Sequence, residues 1–145
     1  PTGLAQEMGL VRVADPEKLH SLVPQVDFVI SCVTLTPETR GSLNRSVFER
    51  MRPNAYLINI SRGPIVDEDD LLAAVDEGLI AGAGLDVLNS EPPSASHPLL
   101  NHARIIITPH TAGVTEQSFQ ALARGVADNI TRLKERRSLR NTVNP

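Results

Sequence analysis

Short, nearly uninterrupted apolar runs constrain this chain more than any other feature. Phe28-Val29-Ile30-Ser31-Cys32-Val33, Ala55-Tyr56-Leu57-Ile58-Asn59-Ile60, Ala83-Gly84-Leu85-Asp86-Val87 and the run around Ile105-Ile106-Ile107 all have strand length. A strand without a polar side has no face to offer water, so such runs belong in a parallel sheet with helices on both faces. The segments between them have helical spacing. Asn44 to Arg50 places Val47, Phe48 and Met51 on one face and stops before Pro53. Asp67 reads as the cap of a helix with an acidic first turn (Glu68, Asp69, Asp70), a stripe of Leu71, Leu72 and Val75, and Gly78 just past its end. The last helix, about Thr115 to Arg136, repeats Phe119, Leu122, Val126, Ile130 and Leu133 at helical intervals. Upstream, Leu10-Val11-Arg12-Val13 is a further strand candidate. Asp15-Pro16 opens a short helix that carries Leu19 and Leu22 and ends before Pro24. The alternation predicts an α/β fold, half of a doubly wound parallel sheet followed by a long C-terminal helix. The glycine-rich turn that follows the first strand of dinucleotide-binding folds is absent, because Gly82-Ala83-Gly84 precedes a strand rather than a helix.

Parallel strands bring their carboxyl ends to one edge, where open α/β sheets bind ligands. Arg62, Glu91 and His110 each fall just beyond an apolar run, so a cation, a carboxylate and an imidazole should share that edge. Gly63-Pro64 turns the chain directly after Arg62, whose guanidinium suits two-point capture of a carboxylate. The plainer alternative pairs Arg62 with Asp67 or Glu68 at the surface. His110 is the natural proton donor near neutral pH, and Glu91 could hold its ring and keep it charged. Their alternatives are a loop histidine bonded to backbone and a solvated glutamate before Pro92. Asp86, ending an apolar strand, needs a partner or a ligand, or else caps a backbone N–H. His20, His97 and His102 lack metal-ligand spacing, so no metal site is expected. Cys32, read as part of a strand, is expected to be a small buried hydrophobe. Arg132, Lys134, Arg136, Arg137 and Arg140 complement the dipole of the last helix rather than form a nucleic-acid patch.

Composition narrows the class. At 145 residues, one domain is the default. A net charge of −3 gives no reason to expect nucleic acid or an anionic membrane as partner. No run is apolar enough for a bilayer span and no secretory signal is evident. The single cysteine excludes an internal disulfide and fits a reducing, cytoplasmic setting. The chain opens on Pro1 rather than Met, so a piece of a longer protein is expected.

In order and spacing, several segments resemble the D-isomer-specific 2-hydroxyacid dehydrogenases: Cys32-Val33-Thr34-Leu35-Thr36-Pro37-Glu38-Thr39-Arg40-Gly41, Leu57-Ile58-Asn59-Ile60-Ser61-Arg62-Gly63, Val66-Asp67-Glu68, Ala81-Gly82-Ala83-Gly84-Leu85-Asp86-Val87, Glu91-Pro92-Pro93, His97-Pro98-Leu99-Leu100 and Thr108-Pro109-His110. The glyoxylate/hydroxypyruvate reductase branch is the most similar. The resemblance implies the C-terminal half of a Rossmann-like nucleotide-binding domain over residues 1–145, with 114–137 as its C-terminal helix. The glycine-rich fingerprint and an N-terminal substrate domain would precede it. It implies hydride transfer between NAD or NADP and a small 2-keto or 2-hydroxy acid. Arg62 would bind the substrate carboxylate, His110 would serve as general acid and base, and Glu91 would orient His110. Val33, Thr39, Ile60, Ser61, Arg62, Asp86, His110 and Gly113 would contact the cofactor, Asp86 through the nicotinamide carboxamide. A homodimer is expected, with no nucleic-acid or membrane partner, and the isolated chain is expected to be inactive. The same resemblance admits a non-catalytic, NAD-sensing protein-binding module or an inactive remnant.

Overall fold

The computed structural model describes residues 16–142. Four parallel strands form one sheet in sequential order: β1 Phe28–Ser31, β2 Tyr56–Asn59, β3 Gly82–Leu85 and β4 Ile105–Ile107. The short helix α1 Leu19–Leu22 precedes β1, α2 Arg45–Phe48 lies between β1 and β2, the longer α3 Glu68–Asp76 lies between β2 and β3, and α4 Glu116–Lys134 follows β4. The strand candidate at Leu10–Val13 and the Asp15 cap lie outside the described residues. The α/β reading holds: each expected apolar run contains a strand, shortened at its ends where the chain turns away from its neighbours.

Register explains which side chains reach the core. Val29, Leu57, Ala83 and Ile105 align across the sheet, as do Ser31, Asn59 and Leu85. These rows are mostly buried and pack with Val47, Phe48, Ile65, Leu71, Ala74 and Val75 into one core. The opposite rows are Phe28-Tyr56-Gly82 and Ile30-Ile58-Gly84-Ile106. Here the sequence expectation needs correction, because the described residues of the first unit, 16–110, do not cover the second face of the sheet. Phe28 is 60% exposed, Ile30 58% and Ile106 72%. The rings of Phe28 and Tyr56 stack at 5.7 Å on this open side. Strand composition records a two-sided burial, but α2 and α3 both contribute to the core on one side only.

Local signals worked as their chemistry predicts. Asp67 caps α3 by accepting the Asp70 N–H at 3.0 Å. Gly78 ends that helix at φ +73°, a conformation that other residues adopt only with strain. Cys32 is the second correction: β1 stops at Ser31, and the thiol is exposed. It sits where the chain leaves the sheet, so strand-like composition no longer implies burial.

The chain divides into two compact units, one ending at His110 and the other beginning at Thr111. The second unit is built on α4, which opens with a reciprocal capping box between Thr115 and Ser118. Phe119, Leu122, Val126, Ile130 and Leu133 all remain exposed along one stripe. Near the helix end Arg132 and Arg140 pair with Asp128, and Arg137 with Glu135, so those cations are engaged locally. Among the described residues no helix is long and apolar enough to cross a membrane. Nor is any group of three or more His, Cys, Asp or Glu placed to hold a metal ion.

Candidate active site

Arg62 is presented by a turn that a buried asparagine builds. Asn59, the last residue of β2, is fully buried. Its Oδ1 accepts the Ser61 N–H at 3.1 Å and the Ser61 hydroxyl at 2.6 Å, and its Nδ2 donates to the Arg62 carbonyl at 3.0 Å. Ser61 Oγ also lies 2.7 Å from Ser31 Oγ, which ties the turn to the end of β1. A polar side chain can sit at this depth because its amide is bonded at both ends. Sequence reasoning missed Asn59 and Ser31; a single amide inside an otherwise apolar run was the available signal. Arg62 itself is exposed, and its Nη1 donates to the Ser61 carbonyl at 2.7 Å. The surface partners weighed for it are engaged elsewhere: Asp67 in its cap, and Glu68 with Asn89 and His97.

Gly63 couples this turn to the next loop. A Cβ at Gly63 would lie 2.0 Å from the Leu88 carbonyl carbon and oxygen, so only glycine allows the two backbones to meet. The chain then runs from Leu88 to Glu91 and on to His110. Glu91 Oε1 accepts the Leu88 N–H at 2.9 Å, and Glu91 Oε2 lies 2.8 Å from His110 Nδ1. The His110 bond, and secondly the Leu88 N–H, hold the Glu91 carboxyl below its ordinary value. With Nδ1 committed to Glu91, Nε2 is the ring nitrogen that can exchange a proton with a ligand. The His110 backbone adopts φ +54° and its N–H donates to the Asp86 carbonyl at 2.9 Å. A non-glycine residue in that conformation is costly and is retained where the surroundings fix it. Asp86 is 5% exposed, and its carboxylate receives the Thr108 hydroxyl.

Two hollows lie beyond the strand ends. One, of about 360 Å³, is lined by Cys32, Val33, Thr34, Ile60, Ser61 and Arg62. The other, of about 440 Å³, has Asp86, Glu91, Thr108 and His110 against an apolar floor that includes Leu88 and Ile107. The trio therefore occupies one sheet edge, with Arg62 in one hollow and Glu91 with His110 in the other. Gly63 and Leu88 link the two. Of the remaining sequence candidates, Val33, Ile60 and Ser61 share the Arg62 hollow. Thr39 instead shapes its own loop, donating to the Thr34 carbonyl at 2.8 Å and accepting the Thr36 N–H at 2.7 Å. Gly113 belongs to the second unit, where a Cβ would meet open space.

Comparison with known proteins identifies the family and the fold. Residues 5–112 match the NAD-binding domain of the D-isomer specific 2-hydroxyacid dehydrogenases. Over 107 residues the chain is 44% identical to glyoxylate/hydroxypyruvate reductase A of Yersinia enterocolitica, covering 74% of this chain and 34% of that protein. A D-isomer specific 2-hydroxyacid dehydrogenase family protein from Klebsiella pneumoniae superposes with a TM-score of 0.83 at 38% identity, over 94% of this chain and 43% of that one. A D-isomer specific 2-hydroxyacid dehydrogenase from Xanthobacter autotrophicus, solved with NADPH and MES, gives 0.80 at 34% identity, over 94% and 56%. The chain thus spans between a third and a little over half of the length of these relatives.

Proposed function

The chain belongs to the D-isomer-specific 2-hydroxyacid dehydrogenase family, within its NAD-binding domain, and on that footing we propose that the whole protein interconverts a 2-keto acid and a D-2-hydroxy acid. The observation that carries this reading is the 2.8 Å contact between Glu91 and His110 Nδ1 at the ligand-binding edge of the sheet. A nicotinamide coenzyme, when bound, would supply hydride to the substrate C2 as NADH or NADPH in reduction and accept it as NAD⁺ or NADP⁺ in oxidation. Val33, Ile60 and Ser61 would line its cradle, Asp86 would meet the nicotinamide carboxamide, and Thr39 and Gly113 would contribute from their loops. The lining fits such a group: an open hollow with apolar Val33, Leu35 and Ile60, the hydroxyls of Thr34 and Ser61, and the cationic Arg62.

In reduction, Arg62 takes the substrate carboxylate with its guanidinium fork, which fixes the ketone relative to His110. His110 gives its Nε2 proton to the ketone oxygen as the carbonyl carbon gains hydride, so no free alkoxide forms. Glu91 holds the ring by Nδ1 and stabilises the imidazolium that must be present beforehand. Oxidation runs the same path backwards, with neutral His110 as base. Glyoxylate and hydroxypyruvate are the substrates the relatives suggest. The whole protein is further proposed to be a cytoplasmic homodimer, a reading supported by the single exposed thiol and the open apolar sheet face. Residues 1–145 alone would be inactive or nearly so.

The test is coenzyme oxidation by the full-length protein with glyoxylate or hydroxypyruvate, in parallel with His110→Asn. The asparagine variant should retain coenzyme affinity and lose about 10²–10⁴-fold in kcat. Equal turnover by the two proteins would overturn the assignment of His110.

A further inference from the structure

We propose that Glu68 is a positioning residue for the Glu91–His110 pair, because its one carboxylate pins both ends of the loop that carries Glu91. The inference rests on the reading of His110 as the proton donor. Glu68 is the first residue of α3, a helix anchored in the core through Leu71, Ala74 and Val75. Its Oε1 accepts the Asn89 N–H at 2.8 Å, at the start of the loop. Its Oε2 lies 3.3 Å from His97 Nε2, at the loop's end. The two side chains are only 14% and 17% exposed, so this contact is better shielded than an ordinary surface pair. The Leu99 N–H points at His97 Nδ1 from 3.4 Å, which leaves the proton of a neutral ring on Nε2, directed at Glu68.

Between the two pins the chain carries Glu91. The near pin is adjacent in sequence to Leu88, whose N–H binds Glu91 Oε1. Moving Asn89 therefore moves the donor that fixes one Glu91 oxygen and slackens the grip of the other on His110. The buried side chains of Leu88 and Leu99 anchor the chain just outside the pins, and of these two residues only Leu88 reaches Glu91, through its N–H. A carboxylate on a helix end thereby sets, at one remove, the geometry of a proton-transfer pair on a loop. Sites of this kind depend on such supporting contacts for their last half-ångström of precision.

The test reads the Glu91 carboxylate by carbon-detected NMR titration in the 145-residue chain, for wild type, Glu68→Ala, His97→Ala and His97→Gln. Glu77→Gln serves as a control, since Glu77 pairs with Arg45 away from this edge. In Glu68→Ala and His97→Ala, Glu91 should titrate closer to its ordinary value, while Glu77→Gln matches wild type. His97→Gln, whose carboxamide can still donate to Glu68, should recover most of the difference. In the full-length protein, Glu68→Ala should lose about tenfold in kcat with KM for the keto acid within about twofold. Identical Glu91 titration in wild type, Glu68→Ala and His97→Ala would overturn the proposal. If Glu68→Ala does not fold, an unchanged titration in His97→Ala overturns it alone. If the full-length wild type turns over no keto acid, the functional reading falls, while the titration still decides the role of Glu68.

Discussion

On the proposed reading Arg62 and His110 divide the chemistry between them, and their variants should separate in kinetics. Arg62→Ala removes a charged anchor worth a few kcal/mol and should lower kcat/KM by about 10²-fold. Arg62→Lys keeps the charge but loses the fork, so steady-state kinetics should place it between Arg62→Ala and wild type. Glu91 gives a pH-dependent signature. Its folded-state pKa is depressed from 4.5 by the His110 hydrogen bond, so its stabilising contribution is complete above the ordinary carboxylate range. That contribution is lost as pH falls through the lower folded value. Chemical unfolding of wild type and Glu91→Gln should therefore differ near neutrality and converge in acid; a constant difference across that window would contradict the cause given. The trio's types and positions were legible because each follows an apolar run. Asn59 and Glu68 were not, since their importance lies in what they bond to rather than in where they stand in the sequence. Cys32 misled because composition alone does not show where a strand ends.

At the scale of elements, the meeting of two backbones at Gly63 matters most. A methyl group there has no room against the Leu88 carbonyl and would drive the Arg62 turn and the Glu91 loop apart. Gly63→Ala should cost about 3 kcal/mol in urea unfolding and also depress activity beyond what the loss of folded protein explains. Asp67→Ala is the contrasting case. It removes one cap from α3 and should cost about 1 kcal/mol. The cap, Gly78 and the core stripe of α3 were all readable, because they rest on contacts within a few residues. The meeting of Gly63 with Leu88 joins segments distant in sequence, and nothing in either segment announces the other.

At the scale of the molecule, the four-stranded parallel sheet of the first unit has one face buried and the other left open by residues 16–110. The sequence foretold the parallel order through its strand–helix alternation. It also foretold a second cover that residues 16–110 do not provide. Phe28, Ile30, Tyr56 and Ile106 form an exposed apolar patch of the kind that drives association. Sedimentation of the 145-residue chain should show concentration-dependent association that Ile106→Lys reduces. That variant should change unfolding free energy by no more than about 0.5 kcal/mol, because the side chain has little packing to lose. On the proposed reading, hydride and proton arrive together at C2 and O2 of a 2-keto acid in the whole protein, in a geometry set by this edge. The most direct test of this reading is reduction of hydroxypyruvate by the full-length protein with NADPH or NADH deuterated at both C4 positions, with chiral analysis of the product. The account predicts D-glycerate carrying deuterium at C2, and near-complete loss of product with His110→Asn. An L or racemic product, deuterium absent from C2, or undiminished turnover by His110→Asn would contradict it.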